Sequence, residues 1–212
     1  TRAFENAQTI YTPAVHPREP YISQRELFVS PFYAREKELG GHFDNEVGGW
    51  ERAFAYESNR QNLSQYLQTV PTRDNEWDRR HVPYEIANAE HLAMSESAGM
   101  INLSHFAIMD IKGSDAERML EYLSVAKVGD NTPEGRVIYT NFLDKDGGVH
   151  ADLTISRMGN DYYRVVTGGA DGNRDWVTLR NYRDDHGLEA DINIRTHDIA
   201  TLGLWGPHAE RA

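Results

Sequence analysis

Apolar residues in the second half of this chain recur at two spacings, one helical and one extended. Ala116, Met119, Leu120 and Leu123 stand at i, i+3, i+4 and i+7, which predicts an amphipathic helix. The segment Ser114-Asp115-Ala116-Glu117 before it has the spacing of a capping box, in which Ser and Glu satisfy each other's backbone donors. Tyr84 to Ala98 reads as a second helix, with Ile86, Ala89, Ala93 and Ser97 on one face and Gly99 as its stop. Asp175 to His186, closed by Gly187, reads as a third. Phe32 to Leu39, halted by Gly40-Gly41, is a shorter one. Strands are predicted at Trp50–Tyr56, Met100–Leu103, Phe106–Ile111, Val137–Leu143, Val149–Arg157 and Tyr162–Thr167, and near Ala190–Ile194 and Ile199–Trp205. Residues 1–31, with Pro13, Pro17 and Pro20, read as an extended arm, and 57–82 as polar and irregular. From residue 84 the order is helix, strands, helix, three-stranded meander, helix, strands. That order predicts an α+β fold, with helices on one face of a largely antiparallel sheet.

The hairpin Val137–Arg157 carries the most suggestive chemistry. Closing it on Asp144-Lys145-Asp146-Gly147 sets Leu143 opposite Gly148, Asn141 opposite His150 and Tyr139 opposite Asp152. Because side chains alternate along a strand, Ile138, Thr140, Phe142, Val149, Ala151 and Leu153 then form one, apolar face. Tyr139, Asn141, His150, Asp152 and Thr154 form the other, a polar strip with an aromatic ring beside a carboxylate. A slip of one residue would reverse the two faces. Such a strip is also what a plain solvated sheet face looks like.

Composition narrows the field. With 39% hydrophobic and 26% charged residues, the chain should fold. Its longest apolar run, Phe106 to Met109, is far short of the ~20 residues of a membrane span. It has no Cys, which excludes disulfides, iron–sulfur clusters, thiolate zinc sites and cysteine nucleophiles. A cytoplasmic location is the expectation. The net charge of −11, with no basic block, argues against nucleic-acid partners. None of the nine His makes a convincing metal-ligand spacing. Gly168-Gly169-Ala170-Asp171-Gly172 lacks both the dinucleotide spacing and the phosphate-loop Lys-Ser/Thr, and reads as a tight turn before a helix. The four Trp read as core residues. The chain begins at Thr1, and Gly206-Pro207 near its other end has Pro where a helix would start, so the expectation is a piece of a longer protein.

One long stretch is recognisable. His91 to His105 (His-Leu-Ala-Met-Ser-Glu-Ser-Ala-Gly-Met-Ile-Asn-Leu-Ser-His), followed by Ile108-Met109-Asp110-Ile111-Lys112-Gly113, resembles the folate-binding domain of the glycine-cleavage T-protein, an aminomethyltransferase. The resemblance continues through Tyr139-Thr140-Asn141-Phe142-Leu143, Gly147 to Leu153, Tyr163-Arg164-Val165-Val166 and Leu202 to Pro207. Nearer the start, His16-Pro17-Arg18-Glu19, Ser30 to Gly40 and Gly49-Trp50-Glu51-Arg52 resemble the connector of dimethylglycine and sarcosine dehydrogenases and oxidases, which joins a flavin module to a T-protein-like one.

The resemblance implies residues 1–60 as that connector, 61–206 as the folate-binding domain and 207–212 as the start of a helix. It implies an aminomethyltransferase-type enzyme that takes up the one-carbon unit of an oxidised N-methyl amine on tetrahydrofolate. The partner would be a flavin module or subunit, with FAD in an upstream segment, and the substrates folate and a small amine. It assigns Asp152, of the Gly-Gly-x-x-x-Asp-Leu hairpin, as the catalytic carboxylate. By the same resemblance Tyr139, Asn141, Asp152 and Thr167 would contact the folate, and no metal is implied. Asn102 and Ser95 stand where the family often has Asp and Arg. The competing readings are the glycine-cleavage T-protein itself, a sulfonium demethylase, and a non-catalytic folate-sensing or structural module.

Overall fold

The computed structural model describes residues 25–43, 48–70, 84–129 and 132–212. In chain order its elements are α1 (Tyr33–Glu38), α2 (Ser58–Asn62), α3 (Ser64–Leu67), α4 (Tyr84–Glu96), β1 (Gly99–Asn102), β2 (Ala107–Lys112), α5 (Ala116–Leu123), β3 (Val137–Leu143), β4 (Val149–Gly159), β5 (Tyr162–Thr167), α6 (Gly172–His186), β6 (Asp191–Ile194) and β7 (Leu202–Trp205). A 3₁₀ turn, Ala209–Arg211, follows. They form two compact units, Ser104–Thr201 and the remainder, Thr1–Leu103 with Leu202–Ala212.

The Ser104–Thr201 unit is a five-stranded sheet of order β3-β4-β5-β2-β6 in which every neighbouring pair is antiparallel. Helices α5 and α6 cover one face. Ala116, Met119, Leu120 and Leu123 of α5 and Leu179 of α6 share one core with Met109, Ile111, Phe142, Ala151, Leu153, Ile155, Tyr163 and Val165 of the strands. The α5 stripe is the one its i, i+3, i+4, i+7 spacing predicts. This is the α+β architecture expected from the order of elements, with its helices on one side.

The capping box is not formed. The helix starts one residue later than that motif requires, with Asp115 as N-cap and no side-chain cap hydrogen bond. Ser114 Oγ donates instead to Glu189 Oε2 at 3.1 Å, and Glu117 Oε2 accepts from the Tyr163 hydroxyl at 2.6 Å. Partners distant in sequence outcompete the local ones. The Gly168–Gly172 turn has a packing cause: a Cβ on Gly169 would lie 1.9 Å from the His105 carbonyl oxygen, and one on Gly172 2.3 Å from the Ala107 Cβ. At these two positions only Gly lets the turn close on the start of β2.

In the other unit, the predicted strand Trp50–Tyr56 does not form. Trp50 and Tyr56 make only isolated bridges, to Phe28 and Gly41. Two further backbone bonds, Phe54 N–H to the His42 carbonyl and His42 N–H to the Ala55 carbonyl, leave the pairing too short for a ladder. Burial does not follow the alternation of Trp50-Glu51-Arg52-Ala53-Phe54 either: Trp50 and Glu51 are both buried, and the next three residues are half-buried. Trp50 packs against Phe28 with ring centroids 5.5 Å apart, and buried Glu51 accepts from Arg25 and from the Glu26 N–H. The polar segment after Tyr56 is helical over α2 and α3; its remainder, 71–83, lies outside the described residues, as does the predicted arm over 1–24. Helix α4 buries Ile86 and Ala89 as read, but ends at Glu96 and leaves Ser97 exposed. The tyrosine and asparagine at 56 and 59 bind Glu90 of α4, through the Tyr56 N–H and the Asn59 Nδ2, each at 2.9 Å. Of the Trp residues, Trp50 is buried and Trp176 packs on the core of the Ser104–Thr201 unit. Trp205 is exposed, contrary to the sequence reading, because its strand β7 pairs only with β1; Trp77 is outside the described residues.

That β1–β7 ribbon has four residue pairs and exposes Met100, Leu202, Leu204 and Trp205. Two strands alone are marginal in water. The amides of Leu202–Trp205 are therefore expected to exchange with solvent deuterium much faster than those of β4. Equal protection of the two would contradict this.

Candidate functional site

The hairpin turn is built as its sequence suggests. Asp144 Oδ1 accepts from the Asp146 N–H at 2.9 Å and the Gly148 N–H at 2.8 Å, and Gly147 adopts φ +84°. The register beyond it differs from the simple count. Leu143 pairs with Val149, but Phe142 pairs with Ala151, Asn141 with Asp152 and Tyr139 with Thr154. The irregularity between Phe142 and Leu143 is a β-bulge that absorbs His150. Relative to the sequence reading the pairing moves by two residues. An even shift keeps the faces, so Tyr139, Asn141, Asp152 and Thr154 remain together on the side away from α5 and α6.

His150 does not join them. The bulge turns it toward α6, where Nε2 lies 2.9 Å from Thr178 Oγ1 and 4.0 Å from Asp175 Oδ1.

Tyr139 and Asp152 are diagonal neighbours, within reach of a long aromatic side chain. The neighbouring Asp152 carboxylate raises the pKa of Tyr139 above the ordinary tyrosine value, by side-chain hydrogen bonding first and then by its charge. Tyr139 thus stays protonated, and stays a donor, throughout the neutral range. Its ring is 68% exposed and Asp152 is exposed as well, so the pair is presented outward from the sheet. Asn141 is half-buried, and its Nδ2 lies 3.4 Å from the Ala151 carbonyl oxygen.

Thr167 is placed differently from the other three. It pairs with Leu153 on the core face, is 2% exposed, and donates to Asp175 Oδ2 at 2.6 Å. Period-2 alternation from its partner strand puts it on the opposite side of the sheet from Asp152. A shallow pocket of about 440 Å³ in this unit, lined by Lys112, Ser114, Arg183 and Glu189 among others, contains none of the four residues. Among the described residues, no three His, Asp or Glu side chains gather as a metal site would require.

Two buried carboxylates of the Ser104–Thr201 unit went unnoticed in the sequence. Asp175, 0% exposed, accepts from Thr167 and from Arg174 Nε at 3.1 Å. Asp110 sits on the open face of the sheet, 1% exposed. It is gripped by Arg164 (Nε to Oδ1, 2.8 Å; Nη2 to Oδ2, 3.1 Å), by the Tyr162 hydroxyl at 2.9 Å and by Arg195 Nη1 at 3.3 Å. The only sequence signal for it was an acid inside the otherwise apolar Ile108-Met109-Asp110-Ile111.

The fold has a counterpart among solved structures. The crystal structure of the glycine cleavage system aminomethyltransferase T from Bartonella henselae superposes on 88% of this chain with a TM-score of 0.64, at 20% sequence identity. This chain spans 42% of that one. The family model of the GCVT N-terminal domain matches residues 32–212, which include every element described above. The chain belongs to the GCVT N-terminal domain family.

Proposed function

We propose that this chain is the tetrahydrofolate-binding part of an N-demethylating enzyme. It captures the one-carbon unit of an oxidised N-methyl amine, of the dimethylglycine or sarcosine type, as 5,10-methylenetetrahydrofolate. The observation that carries the reading is the Tyr139–Asp152 pair on the open sheet face of a GCVT-family domain. The flavin context is supported by the resemblance over residues 16–52. In the described part of that stretch, Ser30, Glu36, Trp50 and Glu51 are buried.

The residues suit a pterin chemically. Tyr139 offers an exposed aromatic face for stacking. Asp152 offers exposed carboxylate oxygens that can accept N–H hydrogen bonds, one diagonal position from the Tyr139 ring. Tetrahydrofolate, when bound, supplies the N5 nucleophile that takes up the one-carbon unit, so the protein needs no nucleophile of its own. Its task is to orient the reactants and to hold a preorganised negative charge where positive charge develops near N5. Asp152 is the group that does this, with Tyr139 beside it on the same sheet face. Thr167, with its hydroxyl committed to Asp175, supports the sheet beneath the site. FAD would be held by the upstream module, and no residue of this chain is assigned to it.

The test is made on the full-length protein. It should carry a flavin visible in its absorption spectrum, be bleached by sarcosine or dimethylglycine, and form methylenetetrahydrofolate when tetrahydrofolate is present. A colourless protein that takes up no flavin sinks the demethylase reading. If such a protein still turns over folate, the glycine-cleavage type or a sulfonium demethylase replaces it. If it binds folate without turnover, the sensing or structural module does.

A further inference from the structure

We propose that His150 is a positioning residue for Asp152: by tying the bulge of β4 to α6, it fixes the register that turns Asp152 outward to meet Tyr139. The functional consequence rests on the reading of Asp152 given above; the positional claim does not.

The argument begins at the hairpin end. Leu143 pairs with Val149. Continued without interruption, that pairing would set Phe142 opposite His150, Asn141 opposite Ala151 and Thr140 opposite Asp152. Thr140 is buried on the core face, so Asp152 would point at α5 and α6 and its charge would be desolvated. The observed pairing is displaced by one residue from Phe142 onward, with Phe142 opposite Ala151 and Asn141 opposite Asp152. The residue that absorbs the displacement is His150.

The bulge is held from the α6 side. The Thr178 hydroxyl lies 3.1 Å from the Arg174 carbonyl, one turn back on its own helix, and donates to it. Its lone pairs are then free to accept from His150 Nε2–H, 2.9 Å away. This assigns the proton to Nε2. Behind the ring stands the Asp175 carboxylate, 4.0 Å from Nε2 and wholly buried. Thr167 of β5 and Arg174 of α6 hold it. A β4 residue two positions before Asp152 is thus tied to Thr178 of α6 and lies against the hydrogen-bonded Asp175–Thr167 pair that joins α6 to β5. The turn itself, with Asp144 capping Gly148, specifies only the end of the hairpin.

The experiment reads Tyr139, whose ionisation reports whether Asp152 is beside it. Tyrosine Cζ resonances are followed by NMR against pH on the full chain, with Tyr139→Phe to assign the signal and Asp152→Asn to show Tyr139 without its charged neighbour. Native protein should titrate above the ordinary tyrosine value of about 10. In His150→Ala the titration should fall to that of Asp152→Asn. In His150→Gln, whose side-chain amide can still donate to Thr178, it should stay near native. Thr178→Val removes only the hydroxyl and should behave like His150→Ala, which covers the case of a His150→Ala chain that does not fold. Tetrahydrofolate binding, measured in parallel, should weaken about fivefold to tenfold in His150→Ala and Thr178→Val, the worth of one neutral hydrogen bond. A merely structural His150 would lower the melting temperature and leave Tyr139 where it is. Folded His150→Ala or Thr178→Val protein with native Tyr139 titration overturns the proposal. A Tyr139 that moves as expected, in a protein that binds no folate in any form, upholds the positioning role and overturns the folate reading.

Discussion

Replacing Asp152 by Asn in the full-length protein is expected to slow formation of methylenetetrahydrofolate by on the order of 10²–10³ while leaving amine oxidation at its parental rate. Asp152 is exposed and lies between Ala151 and Leu153, both buried on the other face. The near-isosteric change therefore leaves the core and the pairing with Asn141 intact. What it removes is one preorganised charge. On the proposed reading, oxidation of the amine is the work of another module and should not respond. The one-carbon unit should then escape as formaldehyde. Both products are measured with tetrahydrofolate present. Methylenetetrahydrofolate formed at the parental rate would make Asp152 an ordinary solvated strand residue.

Asp110→Ala is expected to cost about 3 kcal/mol of stability, the lower end of the range for breaking a buried ion pair, because Arg164 and Arg195 keep some contact with water. The loss should lower the melting temperature by roughly 10 °C or more. Burial alone would raise the Asp110 pKa. The hydrogen bonds from Arg164 and Tyr162 and the charges of Arg164 and Arg195 overcome that effect and hold it below the ordinary aspartate value. Its folded pKa is thus lower than its unfolded one. The stabilisation is complete above about pH 4 and is lost as the pH falls through the lowered value. Thermal melts across the acid range should show this dependence in the parent and a weaker one in Asp110→Asn. An Asp110→Ala chain that melts with the parent at neutral pH would show that the guanidiniums do not need this carboxylate.

The period of the hydrophobic pattern was enough to read the meander β3-β4-β5, the buried stripe of α5 and the end of α6 at Gly187, which takes φ +60° as a helix stop should. These elements are long or strongly alternating, and one face of each is buried, so local pattern and global fold demand the same thing. The face on which Tyr139 and Asp152 lie was legible for the same reason: the sequence count missed the register by two, and alternation forgives an even error. Where several readings satisfied the local pattern, tertiary contacts chose among them. Ser114 and Glu117 had capping spacing, but Glu189 and Tyr163, 75 and 46 residues away in sequence, took them instead. Trp50–Tyr56 alternated like a strand but met no partner long enough to pair with. His150 shared the period-2 phase of Asp152 in the sequence, but it occupies the bulge and is held by Thr178 on α6, which puts it on the other side of the sheet. Thr167 came through the family resemblance, and its pairing with Leu153 commits it to Asp175. The sequence by itself therefore determined the long elements of the Ser104–Thr201 unit and which face of its hairpin is polar. Only the tertiary structure decided which polar groups meet, because a hydrogen bond depends on angstroms of register that no periodicity encodes.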